Sequence, residues 1–236
     1  MFSKQNRFLV VAAHPDDEVL AMGGILARAK ESDVEVAVQF LGEGISARFN
    51  PEDFGNDDYE TAMATRMDGA KAALGLLGIK NVRYENQYCC RFDRLDILDL
   101  VKLVERQIAD FNPTHIFTHN PVEVNVDHRI TYRVVETATR PKPGLALREV
   151  YSFEIPCSGN WTFDCSFKPN LYVDVKDTWD QKIAAWNCYK GEDRVFPFPR
   201  SIKGLETMAH YRGMQAGLEL AEGLRLLRGV IATRLD

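Results

Sequence analysis

Phe8 to Ala13 (FLVVAA) is a short, unbroken apolar run that ends abruptly at His14-Pro15-Asp16-Asp17-Glu18. A run this short, rich in valine and unrelieved by polar residues, suits a strand buried on both faces, as in the middle of a parallel sheet. Parallel neighbours cannot be joined by a hairpin and need a crossover, usually a helix. This one segment therefore points to an α/β architecture.

The residues that follow supply such a crossover. From Glu18 to Lys30 the pattern turns helical, with Ile25, Leu26 and Ala29 on one side and Gly23-Gly24 allowing close approach to the sheet. Val34 to Leu41 then reads as a second strand, completing a β-α-β unit. Asn50 to Tyr59 is acidic and rich in turn residues, the mark of an exposed loop or flap. Helical spacing returns at Met63, Met67, Ala70, Leu74 and Leu77, with Gly78 where a C-cap belongs. A further helix covers Leu95 to Phe111, and THIFTH, ending at His119, reads as a third central strand.

Another helix runs from about Asp127 to Ala138 and is stopped by Arg140-Pro141-Lys142-Pro143-Gly144. In the last third, strands at Glu149 to Phe153 and Leu171 to Val175 alternate with helices at Thr178 to Tyr189 and about Ser201 to Leu227. Thr178-x-x-Gln181 fits a capping box. No internal repeat or linker stretch interrupts the 236 residues, so the expectation is one domain over 1–236. Its fold class is α/β: a Rossmann-like three-layer α/β/α sandwich with a mainly parallel sheet and a C-terminal extension.

Composition removes several classes of function. With 45% hydrophobic and 27% charged residues the chain is globular, not disordered. A formal net charge of −5 argues against a broad nucleic-acid or anionic-membrane footprint. Five cysteines (Cys89, Cys90, Cys157, Cys165, Cys188) cannot all pair within one chain and form no C-x-x-C motif. Reduced thiols and a cytoplasmic protein are expected. The leading apolar run is too short for a membrane span and a poor match to a signal peptide.

Ligands of open α/β sheets collect beyond the carboxyl ends of the strands. Two strands end there in polar clusters, at His14 to Glu18 and at His119 to His128. Alone, Asp16 or Asp17 could simply cap the following helix, and Asp127 could do the same at its own helix. Together, two imidazoles and a carboxylate with open positions describe a catalytic zinc site or a non-haem iron site. None of the cysteines lies near either cluster in sequence, which disfavours a closed structural zinc site. The turn after the first strand is not the glycine-rich one that a dinucleotide needs, which argues against a dehydrogenase.

AAHPDDEVLAMGG (Ala12 to Gly24) and NVDHR (Asn125 to Arg129) resemble the two signatures of the LmbE/PIG-L-like zinc-dependent N-deacetylases. Arg66-Met67-Asp68 before AALGLLG resembles that family's Arg-containing helix, with Asp68 in the usual place of an acid. The resemblance covers most of the chain. It implies His14, Asp17 and His128 as metal ligands, one Zn2+ per chain with other divalent metals compatible, and Asp16 as general base. It also implies an N-acetylglucosamine-type substrate, on a nucleotide or lipid scaffold by analogy with surface-glycan assembly.

Many members of the family carry a histidine three residues before the last ligand, where this chain has Asn125. Asparagine can donate to an oxyanion but cannot act as a cation, so His119 is a second candidate for that role. Asp127 is expected to orient an imidazole or to cap its helix. Loop residues Arg48, Arg91 and Asp93 are substrate-binding candidates, with Glu43 and Glu123 further polar loop positions. Two other readings stay open, a non-haem iron enzyme and a catalytically silent metal- or sugar-binding protein. The sequence decides neither for nor against a homo-oligomer.

Overall fold

The structure, a computed structural model, describes residues 1–231. Seven strands form one sheet: β1 (Arg7–Ala12), β2 (Glu35–Gly42), β3 (Asn81–Gln87), β4 (His115–Thr118), β5 (Glu149–Phe153), β6 (Leu171–Asp174) and β7 (Ala221–Gly229). Their spatial order is β3-β2-β1-β4-β5-β7-β6. β1 to β5 run parallel, and β7 is antiparallel to both β5 and β6. Among the described residues there are also six α-helices: α1 (Asp17–Glu31), α2 (Asp57–Leu76), α3 (Ile97–Phe111), α4 (Val126–Ala138), α5 (Trp179–Trp186) and α6 (Ile202–Met214).

The alternation of side chains along β1 builds both cores. Phe8, Val10 and Ala12 join one core, with Ile25 and Leu26 of α1, Ala70 and Leu74 of α2, Trp186 of α5 and Leu205 of α6. Leu9, Val11 and Ala13 join the other, with Val101, Val104 and Ile108 of α3 and Val134 and Val135 of α4. Every residue from Phe8 to Ala13 is fully buried, as expected for the central strand of a three-layer sandwich.

α1 bends at Met22, whose φ of −149° and ψ of 28° are not helical. Glu222 of β7 takes up the freed donors, accepting from Gly24 N–H (3.0 Å) and Ile25 N–H (2.8 Å). Lys182 of α5 neutralises Glu222 and also donates to the Leu20 carbonyl. The glycine pair makes the approach possible. A Cβ on Gly23 would lie 2.9 Å from Lys182 Cγ, and one on Gly24 would lie 2.7 Å from Val175 Cβ. Gly24 thus approaches the sheet, at the exit of β6 and at Glu222 of β7, as expected, whereas Gly23 faces α5.

Three local expectations are corrected. The long helix expected over Ser201 to Leu227 ends at Met214, and the chain returns as strand β7. Its turn is built on Gly213, whose carbonyl accepts from Ala216 and Leu218, and on Gly217 at φ +72°. β3 was not foreseen because NVRYENQ is polar, and its residues are only partly covered at the sheet edge. The capping box at Thr178 does not form, since the Thr178 hydroxyl donates to the Gly24 carbonyl and Gln181 reaches Glu31.

Removing one partner of a buried ion pair leaves the other charge uncompensated, at a cost of about 3–5 kcal/mol. Glu222→Ala is therefore expected to lower unfolding stability by that amount in urea titration, and an unchanged midpoint would contradict this role.

Candidate active site

The chain runs from β1 outward through β2 and β3, then crosses back to place β4 on the other side of β1. At such a switch point, neighbouring crossovers leave in opposite directions and open a crevice beyond the strand ends. The His14 loop leaves β1 at this point, and the segment from His119 to the start of α4 leaves β4 beside it. Parallel pairing of β1 with β4 brings the two polar clusters together.

Asp16 has φ +127° and ψ −29°, a conformation that side-chain-bearing residues rarely adopt. This turn sends the carboxylates of Asp16 and Asp17 to different partners. Asp17 is 1% exposed, and its Oδ2 accepts from His14 N–H at 2.9 Å. The same oxygen lies 3.6 Å from His14 Nδ1 and 3.4 Å from His128 Nε2. Its Oδ1 is buried and has no hydrogen-bond partner among the described residues.

Both imidazoles are fixed from behind. His14 Nε2 lies 2.9 Å from Asp127 Oδ2, and Asp127 in turn accepts from the Cys90 and Phe92 backbone N–H groups. His128 Nδ1 lies 2.6 Å from Glu123 Oε2, which also accepts from Ser158 Oγ at 2.7 Å. Each carboxylate settles the tautomer and leaves the other ring nitrogen, His14 Nδ1 or His128 Nε2, as a lone-pair donor toward Asp17. Burial opposes ionisation of Asp17, but when the rings of His128, His119 and His14 carry protons their charge overrules it and holds the carboxyl well below the usual carboxylate range. Burial likewise opposes ionisation of Glu123, and His128 and His119 lower it to about 2.

Ligating atoms of His14, Asp17 and His128 lie within 4.8 Å of one another. The orphaned Asp17 oxygen, two oriented imidazole nitrogens and carboxylates behind both rings fit a divalent metal of the zinc class with open positions. The potential ligand atoms of His14, Cys89 and Asp127, and those of His119, Glu123 and His128, also lie within 4.8 Å of one another. Both reuse carboxylates already engaged in orienting a histidine, and they lack a free carboxylate oxygen like that of Asp17.

Asp16 faces a separate network. Its Oδ2 accepts from Arg66 Nη1 at 2.8 Å and from Arg200 Nη1 at 3.1 Å. Burial pushes this carboxyl up, against the opposing pull of both guanidinium groups. Arg66 also donates to the Pro15 carbonyl and to Glu192, and Glu192 is shared with Arg48 at 2.7 Å. Burial raises Glu18 to about 8 even though Tyr189 O–H and Asp16 N–H donate to it, so Glu18 is mainly protonated at neutral pH.

A cleft of about 500 Å3 opens at Arg200 and is walled by Asn125, Arg48, Arg194 and the aromatic pair Trp161 and Phe198. The two rings lie edge to face at 5.8 Å. Asn125 caps α4, its Oδ1 accepting from Asp127 N–H, while its Nδ2 donates to no protein group among the described residues.

The remaining candidates are placed as follows. His119 is fully buried and does not wall the cleft; its Nε2 faces the Ala13 N–H at 2.9 Å and Asp17 Oδ2 at 3.4 Å, and although burial opposes its protonation, Asp17 raises the ring to about 9. Asp127 is not the cap of α4 but the partner of His14. Arg48 lines the cleft, whereas Arg91 lies over the Phe54 ring and Asp93 is exposed in a single turn, so neither of these two walls the cleft. Asp68 is exposed beside Lys71, Glu43 caps backbone amides of its own loop, and Glu123 is the partner of His128. Sequence reasoning missed Glu192, Arg200, Trp161 and Phe198. They lie in irregular segments with no periodicity or motif to mark them.

Residues 9–139 match the family model described as PIG-L: GlcNAc-PI de-N-acetylase. The chain is 26% identical to a 4-oxalmesaconate hydratase of Pseudomonas putida, over 92% of this chain and 83% of that protein. It is 24% identical to a diacetylchitobiose deacetylase of Thermococcus kodakarensis, over 97% and 86% respectively. Among solved structures, the N,N'-diacetylchitobiose deacetylase of Pyrococcus horikoshii superposes with a TM-score of 0.76 at 19% identity, covering 94% of this chain and 84% of that one.

Loss of a carboxylate behind a ligating histidine typically costs about 10–100-fold in metal affinity. Asp127→Asn and Glu123→Gln should each weaken zinc binding to that extent in equilibrium dialysis. Unaltered affinity in both variants would remove them from the centre.

Proposed function

Since the chain belongs to the PIG-L family of GlcNAc-PI de-N-acetylases, we propose that it is a metal-dependent hydrolase that removes the N-acetyl group from an N-acetylglucosamine-type amino sugar. The observation that carries this reading is the Asp17 carboxylate, whose Oδ2 faces two oriented imidazoles and whose Oδ1 is buried without a partner among the described residues, one residue from a second carboxylate of different surroundings. Zinc held by His14, Asp17 and His128 would lower the pKa of a water to about 7 and polarise the acetyl carbonyl.

The protein's own groups account for the rest of the reaction. Water oxygen bonds to the acyl carbon, the C–N bond breaks, and acetate and a free amine leave. Asp16 is the proposed general base, taking a proton from the attacking water and returning it to the departing amine. Arg66 and Arg200 hold its carboxylate in place, and burial keeps it basic enough to serve. Asn125 Nδ2, free toward the cleft, is the proposed neutral donor to the developing oxyanion. Trp161 and Phe198 offer faces for a pyranose ring, and Arg48 and Arg194 suit hydroxyls or the phosphate of a nucleotide- or lipid-linked sugar. No helix among the described residues is long and apolar enough to cross a membrane.

A second reading has one specific support. The Pseudomonas putida relative is a hydratase, and three arginines in the cleft would also receive an unsaturated carboxylic acid. In that case water would add across a double bond and nothing would leave.

One experiment separates the two. Metal-loaded protein is expected to release acetate from N-acetylglucosamine or its nucleotide-linked form, to stop on chelation and to recover with zinc. Asp16→Asn should keep its metal and lose about 10²–10⁴ in turnover. Full activity in that variant would remove Asp16 as the base, and hydration of an unsaturated acid without acetate release would favour the second reading.

A further inference from the structure

The segment that holds Asp127 carries two adjacent cysteines that the reaction above does not use. Cys89 is buried, Cys90 is exposed, and Cys90 lines the cleft. Cys89 Sγ–H donates to Cys90 Sγ across 3.8 Å. Cys90 has φ +57°, in the left-handed region that side-chain-bearing residues seldom occupy. This bend aims the Cys90 and Phe92 amides at the two oxygens of Asp127. On the other side, Cys89 N–H is tied to Glu43 and Ser46.

We propose that Cys89 and Cys90 form a vicinal-dithiol site for oxidants of the hydroperoxide class, and that its closure to a disulfide withdraws the Cys90 amide from Asp127 and loosens the metal ligand His14. The consequence for the metal rests on the ligand set proposed above, whereas the thiol chemistry does not.

The chemistry balances with a hydroperoxide as oxidant. Cys90 sulfur attacks the terminal peroxide oxygen, the O–O bond breaks, and a sulfenic acid and an alcohol (water, from hydrogen peroxide) result. Cys89 sulfur then attacks Cys90 sulfur, the S–O bond breaks, and water leaves with the Cys89 proton. Two thiols lose two electrons, and the peroxide gains them. The cleft admits the oxidant to Cys90, and the buried thiol is already within contact distance to resolve the sulfenic acid.

The coupling to the metal centre follows from ring geometry. A disulfide between adjacent residues closes an eight-membered ring, and the amide nitrogen of Cys90 is one of its atoms. Adjacent Cα atoms are about 3.8 Å apart, closer than the roughly 4.4–6.8 Å that disulfides ordinarily span. The peptide must therefore rotate between two fixed flanks, Cys89 N–H on Glu43 and Phe92 N–H on Asp127. The N–H that rotates is the one donated to Asp127 Oδ2, the oxygen that faces His14. Strain also makes such a bridge easily reduced, which suits a reversible site.

Reduced, zinc-loaded protein is treated with hydrogen peroxide, mapped by peptide mass and assayed for zinc affinity by equilibrium dialysis. The peptide holding Cys89 and Cys90 should become lighter by two hydrogens, and zinc affinity should fall about 10-fold or more, the effect of losing support behind a ligating histidine. Dithiothreitol should restore both. Cys89→Ser and Cys90→Ser should each keep, under peroxide, the affinity they have when reduced. A bridge from Cys90 to Cys157, an unchanged mass, a bridge at 89–90 without loss of affinity, or equal loss in both serine variants would each overturn the proposal. If reduced protein binds zinc and responds as expected yet releases no acetate, the deacetylase reading falls and the dithiol site stands.

Discussion

The centre depends on one buried carboxylate, Asp17, placed where the exits of two adjacent parallel strands meet. Its Oδ2 is claimed by the His14 amide and its Oδ1 by no group among the described residues. A buried acceptor without a partner costs free energy that a fold normally avoids. Here it is tolerated on a carboxylate whose other oxygen lies at the point faced by His14 Nδ1 and His128 Nε2, the nitrogens proposed as ligands. A cation at that point would satisfy all three groups at once.

Much of the surrounding structure serves that geometry. Asp127 and Glu123 stand behind the two histidines, and each is itself held by donors: Cys90 and Phe92 from the loop after β3 for the first, and Ser158 together with Asn120 of its own loop for the second. The neighbouring Asp16 has a different environment, because the strained turn at φ +127° directs it to Arg66 and Arg200. Two adjacent carboxylates can then play two roles. One sits among imidazoles and is ionised outright, and the other is raised by burial and restrained by guanidinium groups. Separated environments of this kind would let a single site provide both a ligand and a base.

The parts legible in the sequence are those with a period or a local motif. Phe8 to Ala13 gave away the central strand because a residue buried on both faces must be apolar at every position. The convergence of His14, Asp17 and His128 was legible because they sit in two short motifs, one where β1 passes into α1 and one in the first turn of α4. The partners that contact Asp16 from afar were not. Arg200, which reaches Asp16, and Glu192, which pairs with Arg66 and Arg200, lie far from it in sequence and close on this network only when the chain after α5 folds back over the strand ends. β3 was hidden by its polar, half-covered edge position, and β7 by leucines whose spacing also suits a helix. His119 looked like a catalytic donor because a strand-end histidine in the crevice is a reasonable candidate. In the folded chain its Nε2 faces the Ala13 amide and Asp17, and the ring is buried away from the cleft.

The most direct test of this account is X-ray absorption at the zinc edge on protein loaded with one equivalent of zinc. His14, Asp17 and His128 would give nitrogen and oxygen scatterers alone, at about 2.0–2.2 Å. A sulfur shell near 2.3 Å, the Zn–S distance, would move the metal to the cluster of His14, Cys89 and Asp127 and contradict the centre described here.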